Sequence, residues 1–414
     1  MIHFVASARQ ALQPFWGYFL VVETQKGEPG VRYQNTVLGE ILKVIPRRVF
    51  GSIVSQHQGD RYGKDFHSWD HLVTLLYGQL GGVSSLRELV ELWNVQTPHH
   101  YHLGTGPVCR STFSDANQRR PSAIFADLFA HLTDLASRSL RHDGKQVLRL
   151  IDATPIPLAS MHEWASWNGR TRGLKAHVVY DPNLDRPVHL EITSSTVNDV
   201  MIARDLSIER GAIYVFDKAY VDYHWWHRLH NARCIFITRP KTNVPFTVIK
   251  KRRLSKSARD ASIFSDAIVR LASQQKTSLP INLRRIELHR DDGRVLTILT
   301  NDLKHSAAKI AALYRKRWQI ELLFRWIKQH LKIRVFFGRS ENAVRLQIFA
   351  ALIAYLLLRI VAAASRSKIS ALRFVDLVRS RLFERSPIAR IDKPPPRKSR
   401  STKHSPSQMA FAYA

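Results

Sequence analysis

Cysteine is almost missing from this chain of 414 residues: Cys109 and Cys234 are the only two, and neither stands in a metal-ligand spacing. A disulfide framework and a zinc finger are thereby excluded, and a reducing compartment is the natural home. Long apolar runs are missing too. Ala11 to Val22 is broken by Pro14, and Ile348 to Leu358 is closed by Arg359. Both are too short to span a bilayer; the first lacks a small-residue cleavage site for a signal peptide, and the second reads as a buried helix. Acid is scarce: 33 Asp plus Glu face 63 Lys plus Arg, a formal charge of +30. An excess of that size reads as contact with a polyanion, nucleic acid first. Disorder is no explanation for it, because 9 Trp, 12 Tyr and 19 Phe, within 45% apolar residues, are enough for two or three cores.

Periodicity divides the chain. Residues 1–33 follow no clear period and read as a leader. From Thr36 the spacing is helical: Val37, Ile41, Val44 and Ile45 before Pro46, then Trp69 to Gln79 closed by Gly81-Gly82. Ser85 and Glu88 read as a capping box opening a helix through Leu92, and Arg110 to Asn117 starts another. Residues 34–140 are thus predicted all-helical, either a DNA-binding domain or a bundle that only scaffolds. At Val147 the period becomes that of strands: Val147–Ile151, Ala176–Tyr180, Val188–Thr193, Ala212–Phe216, Cys234–Thr238 and Val295–Thr300, with a helix from Asn198 to Glu209. Strands in a row, then alternation with helices, predict a mixed-sheet α/β domain. Two long helices follow, Ser306–Leu331 and Glu341–Ala364, and residues 386–414 form a basic, Pro-rich tail.

Two carboxylates close predicted buried strands, Asp152 and Asp217. A charge there is costly unless exposed, paired or bound to metal. On neighbouring strands the pair would suit a cation with oxygen ligands; taken singly, each reads first as a turn residue at a strand end. In the helix beyond residue 306, Tyr314, Arg317, Glu321 and Lys328 fall at offsets 0, 3, 7 and 14. On a continuous helix these share a sector of roughly 60°. One acid flanked by Tyr, Arg and Lys on a single line suits a metal-binding carboxylate among phosphate-gripping neighbours, although a solvated face with an Arg317–Glu321 pair has the same pattern.

This spacing, Tyr314-x2-Arg317-x3-Glu321-x6-Lys328, resembles the Y-(2)-R-(3)-E-(6)-K signature of the IS4-family transposases. The segments Leu313–Lys332, Val215–Tyr223, Gly338–Val344, Ser84–Glu88 and Arg110–Asn117 are similar to the family as well, and the likeness covers residues 34–365. The resemblance implies an RNase H-like core over 145–240 and 295–335 with a catalytic, metal-binding triad of Asp152, Asp217 and Glu321. It implies a β-rich insertion at 241–294, returning through an Asp292-Gly293 turn, and C-terminal helices over 336–385. Lys250, Lys251, Arg252 and Arg253, with Lys256 and Arg259, would form a phosphate-contacting stripe on the insertion, or a solvated loop. Better-known relatives stack a flipped base on an insertion Trp; none lies between Trp226 and Trp318, leaving Phe246 and Phe264 as substitutes.

The implied activity is cut-and-paste DNA transposition, with cleavage at element ends and strand transfer into target DNA. Two Mg²⁺ ions, replaceable by Mn²⁺, would serve the three carboxylates, while Tyr314, Arg317 and Lys328 hold phosphates. The expected partners are terminal inverted repeats, target DNA and a second copy of the chain, dimerising through Ile348–Val361. The expected place is the cytoplasm, at the nucleoid. An RNase H-like nuclease and a catalytically silent DNA-binding derivative are the alternatives. Lys175 and His177 are candidates to approach the site from a neighbouring strand. His224, His227 and His230 read as packing beside Trp225-Trp226, and His99-His100-Tyr101-His102 as a loop.

Overall fold

The helical period that starts at Thr36 builds seven helices before the first strand. They are α1 (Val37–Leu42), α2 (Arg47–Gln56), α3 (Ser68–Gly81), α4 (Leu86–Val95), α5 (Thr97–Leu103), α6 (Arg110–Arg119) and α7 (Ala123–His142). The computed structural model describes residues 35–61, 63–142, 146–170, 172–242, 244–271, 279–330, 335–365, 369 and 371–392. The expected leader, the apolar run Ala11–Val22 and the tail beyond Asp392 lie outside the described residues. Local chemistry sets the helix ends. Thr36 caps α1 through the Gly39 amide, and Gly82, at φ +70°, closes α3 in the left-handed region that favours glycine. At α4 Ser85 accepts the Glu88 amide, but the Glu88 carboxylate turns to the Ser84 amide and hydroxyl (2.8 and 2.6 Å) rather than to the cap itself. The histidine run 99–102 is α5, not a loop: Pro98 stands in its first turn, and buried His100 stacks on Trp93 at 4.4 Å between centroids.

The strands are β1 (Leu148–Pro157), β2 (Gly173–Asp181), β3 (Arg186–Ser194), β4 (Ile213–Phe216), β5 (Ile235–Thr238), β6 (Phe246–Lys251), β7 (Ile263–Leu271), β8 (Leu283–His289) and β9 (Val295–Thr300). Short helices α8 (Asp199–Asp205), α9 (Tyr223–Asn231) and α10 (Lys256–Asp260) connect them. Among the described residues these nine strands form one sheet, ordered β3-β2-β1-β4-β5-β9-β8-β7-β6. The first five follow the RNase H-like pattern, β1–β3 an antiparallel meander and β4, β5 parallel to β1. Strands β6 to β8 extend that same sheet through β9, which pairs with β5 on one side and β8 on the other. The return is a β8–β9 hairpin at Asp292-Gly293, where Gly293 has φ +75°.

Helices α11 (Ala307–Arg315), α12 (Trp318–His330), α13 (Glu341–Ala364) and α14 (Ala371–Ser380) follow the sheet. One core joins the N-terminal helices, α11 to α14 and one face of the sheet; a second lies under the other face around Phe216, Trp225, Trp226 and Phe236. Helix α13 is long and apolar enough to cross a membrane, yet 78% of its most apolar stretch is buried inside the structure. Leu346, Ile353, Leu356 and Leu357 are fully covered. This corrects the expected dimer surface: Ile348 to Val361 packs against the N-terminal helices and β3 of its own chain, so its apolar side is already spent.

Candidate active site

Strand β1 organises the site. Its parallel pairing with β4 runs as far as Ile151 opposite Phe216, so the next residues on the two strands, Asp152 and Asp217, leave side by side. There β4 ends in a 3-10 turn, Lys218–Tyr220, which Asp217 caps by accepting the Ala219 amide at 2.7 Å. Strand β1 does not end. It continues to Pro157 against β2, which places Asp152 mid-strand where a strand end was expected, because β2 keeps pairing after β4 has stopped.

Glu321 arrives from the first turn of α12, with Lys328 about two turns farther along. The single helix expected from Ser306 to Leu331 is broken at Lys316-Arg317. There the amides of Lys316 and Arg317 donate to the carbonyls of Leu313 and Tyr314, three residues back, and α12 starts afresh at Trp318. The tightened turn sets Arg317 between carboxylates. Its guanidinium donates to Asp152 Oδ2 at 3.3 Å and to Glu321 Oε1 at 2.5 Å. Lys328 Nζ donates to Thr154 Oγ1 at 2.6 Å. Asp152, Thr154, Asp217, Arg317, Glu321, Phe324, Arg325 and Lys328 line one cleft of about 390 Å³.

Burial pushes the Asp152 carboxyl up to about 6; the Ala153 amide and Arg317 pull it down, while the charges of Asp217 and Glu321 push with burial. Burial opposes the charge of Arg317, but Tyr314, Glu321 and Asp152 more than offset this and hold it cationic. Tyr220, buried beside Asp152 and Asp217, has its phenol raised well above the usual range, first by burial and then by Asp199 and those carboxylates.

The other sequence-predicted residues divide. Tyr314 is buried with its hydroxyl against Arg317, behind the cleft wall, and its phenol is raised by burial. Lys250, Lys251 and Arg253 are exposed on and after edge strand β6; Arg252 is drawn into the fold, donating to the Leu303 carbonyl at 2.8 Å. Phe246 packs toward the second core, and Phe264 is exposed and stacked on His289 at 4.5 Å between centroids. Lys175 and His177 face away from Asp152. They stand opposite Pro155 and Ala153, whose side chains leave the sheet on the other side, and Lys175 Nζ is bound to Asp199 Oδ1 at 2.8 Å. Thr154 and Arg325 were not foreseen. Thr154 had a legible signal, standing two residues after Asp152 on one strand and therefore on the same face.

Among the described residues no three His, Cys, Asp or Glu side chains stand close enough together to hold an ion. The donor set nonetheless fits a hard cation: three carboxylates on one cleft, two of them already bridged by the positive charge of Arg317.

Comparison with known proteins agrees with this arrangement. The family model described as "Transposase DDE domain" matches residues 143–357, and a domain of unknown function (DUF4372) matches residues 33–106. The chain is 53% identical to a protein of Sinorhizobium fredii named as transposase y4zB, over 72% of this chain and 85% of the relative. It is 29% identical to a Geobacillus stearothermophilus protein named as the transposase of insertion sequence element IS5377, over 71% and 81%. It is 25% identical to one of Synechocystis sp. named for insertion sequence element IS4SA, over 60% and 71%. Domains of this family cleave and transfer DNA strands and work with divalent metal ions. With its RNase H-like strand order and three carboxylates in one cleft, the chain belongs to the DDE transposases of insertion sequences.

Proposed function

We propose that this transposase is of the IS4 type and that Asp152, Asp217 and Glu321 are its catalytic carboxylates and metal ligands. The observation that carries the reading is the β1–β4 register, which sets Asp152 beside Asp217 in the cleft that Glu321 enters from α12. Two Mg²⁺ ions, or Mn²⁺ in their place, supply activation of the attacking oxygen and stabilisation of the departing one when bound. The carboxylates hold them. Arg317 neutralises Asp152 and Glu321 and would offer its fork to a phosphate, while Lys328, steadied by Thr154, would place a point charge on the same strand. Tyr314, against Arg317, positions that guanidinium and donates to the DNA backbone if the cleft opens around the strand.

In this reading residues 34–140 bind the element ends, 145–240 with 295–335 carry the chemistry, and 241–294 adds exposed Lys250, Lys251 and Arg253 to the DNA path, Arg252 bracing it. The helices of 336–385 lock the first part to the second. Two copies act on paired ends as a homodimer, through a surface other than buried Ile348–Val361, and the work is done at the nucleoid in the cytoplasm.

Glu321→Gln tests the assignment. On a duplex ending in the element's own terminal sequence, we expect Mg²⁺-dependent cleavage by the natural chain to fall roughly a hundred- to a thousandfold in the variant, of the order a single missing electrostatic partner costs, with DNA binding retained. Undiminished cutting by the variant would overturn it. The sedimentation mass of the DNA complex tests the dimer, and one copy per complex would refute it.

A further inference from the structure

The connection between β1 and β2 has no part in the chemistry above, yet it is built as a finger. Its base is anchored. Buried His162 packs edge-on against Trp164 and Phe336, Trp164 Nε1 donates to the Arg339 carbonyl at 2.6 Å, and the Leu158 amide donates to the Arg172 carbonyl at 2.9 Å. Only glycine fits at position 173, where a Cβ would lie 2.3 Å from the Ile156 carbonyl oxygen. Its tip is the reverse. Trp167 bridges to Arg172 across a turn made by Asn168, whose side chain accepts the Arg170 amide, and by Gly169 at φ +87°. Trp167 is 61% exposed, an unusual place for the largest apolar side chain, and Arg170 beside it is exposed as well.

Cations stand in the cleft, at the base of the finger and at its tip. Lys328 and Arg325 line the cleft, exposed Arg339 follows α12 and holds Trp164 at the base of the finger, and Arg170 stands at its end. Glu163 is the one acid between Leu158 and Gly173.

Resting on the transposase reading, we infer that the finger tip, residues 166–170, is a DNA-contacting element: Trp167 packs on a base of the bound substrate while Arg170 grips the neighbouring phosphate. An exposed ring beside a cation suits a nucleotide whose base has been drawn out of the stack, since the freed base offers a π-face and every link a charge. Strand geometry gives the range. Trp167 is level with Leu158, just past the end of β1 and six residues beyond Asp152, which at about 3.3 Å per residue along the strand direction is roughly 20 Å. At about 3.4 Å per nucleotide the contact falls about six nucleotides from the bond that is cut.

The test uses the full chain and a terminal-sequence duplex with 2-aminopurine placed singly at three to nine nucleotides from the cleaved bond. Binding of the natural chain should change emission most near the sixth position. Trp167→Ala should abolish that change and weaken binding roughly tenfold, Trp167→Phe should keep most of both, and Arg170→Ala should weaken binding while leaving the emission pattern in place. The Tm of every variant should match that of the natural chain, since the tip is exposed. Normal cutting by the natural chain with an unchanged emission profile in Trp167→Ala would overturn the inference alone. Failure of the natural chain to cut in Mg²⁺ would remove the transposase reading and the inference with it.

Discussion

Arg317 stands where a cation is wanted, and this leads to a prediction with two opposite signs. Arg317→Ala removes a positive charge from between Asp152 and Glu321, so Mn²⁺ followed by its paramagnetic resonance should bind several-fold more tightly. The same change removes the fork proposed to hold a phosphate, so on that reading DNA cleavage should fall about tenfold or more. Loss of both together would assign Arg317 a purely structural role. His71 gives a residue-scale prediction of another kind. Its ring is fully buried, one nitrogen 2.8 Å from Asn117 Oδ1, and burial, helped by the charge of Arg120, lowers its pKa to about 3. The unfolded chain therefore takes up a proton near 6.5 that the folded chain refuses until about 3. Stability is unaffected above that window and falls as pH drops through it, by up to about 1.4 kcal/mol per unit. Urea unfolding between pH 7 and 4 should show the slope, and His71→Gln should flatten it. Burial of His71 was not legible in the sequence, where it is one polar residue in an apolar stretch; Phe66, Phe113 and Phe125, which enclose it, come from three separate segments.

Elements show where local rules hold. Helix α13 has the bounds its periodicity predicts, since Ser340 caps it and Glu341 stands in its first turn. Which of its sides is apolar was not the useful question, because nearly all of them are covered. Leu356→Ala should cost about 2–5 kcal/mol, read from chemical denaturation, and should loosen the N-terminal helices along with the sheet. A loss under 1 kcal/mol would mean that α13 is not the shared core of the two halves. The break at Lys316-Arg317 escaped the sequence reading because Ala307 to His330 carries helix-forming residues throughout. The tightened turn is sustained by tertiary partners instead: the Asp152 and Glu321 carboxylates on Arg317 and the buried Tyr314 ring behind it.

At the scale of the molecule the charge of +30 sets the behaviour. A surface that neutralises six to ten phosphates should lose about 10³–10⁵ in DNA affinity between 50 and 200 mM salt. Filter binding across that range checks this, and a nearly flat dependence would detach the charge from DNA binding. The continuous nine-stranded sheet also joins the β6–β8 extension to the strands that carry Asp152 and Asp217, so edge strand β6 and the strands flanking the β1–β2 finger are parts of one hydrogen-bonded sheet. That joining depends on β9 pairing with β5 through Ile237 opposite Thr300, a contact between residues 63 apart in the chain that no local period announces.

The sequence by itself determined the residue kinds and their rhythm: a helical part, strands after Val147, two acids following apolar strands, and a Tyr-Arg-Glu-Lys spacing specific enough to indicate the family. These are local properties, set by side-chain period, caps and turns. Only the tertiary structure decided that Asp152 lies mid-strand, that Arg317 bridges two carboxylates, that Lys175 and His177 face the other way, and that Trp167 is left in the open. Each depends on which distant segment comes to pair or pack against it, and burial, charge pairing and sheet register arise only when the chain has closed on itself.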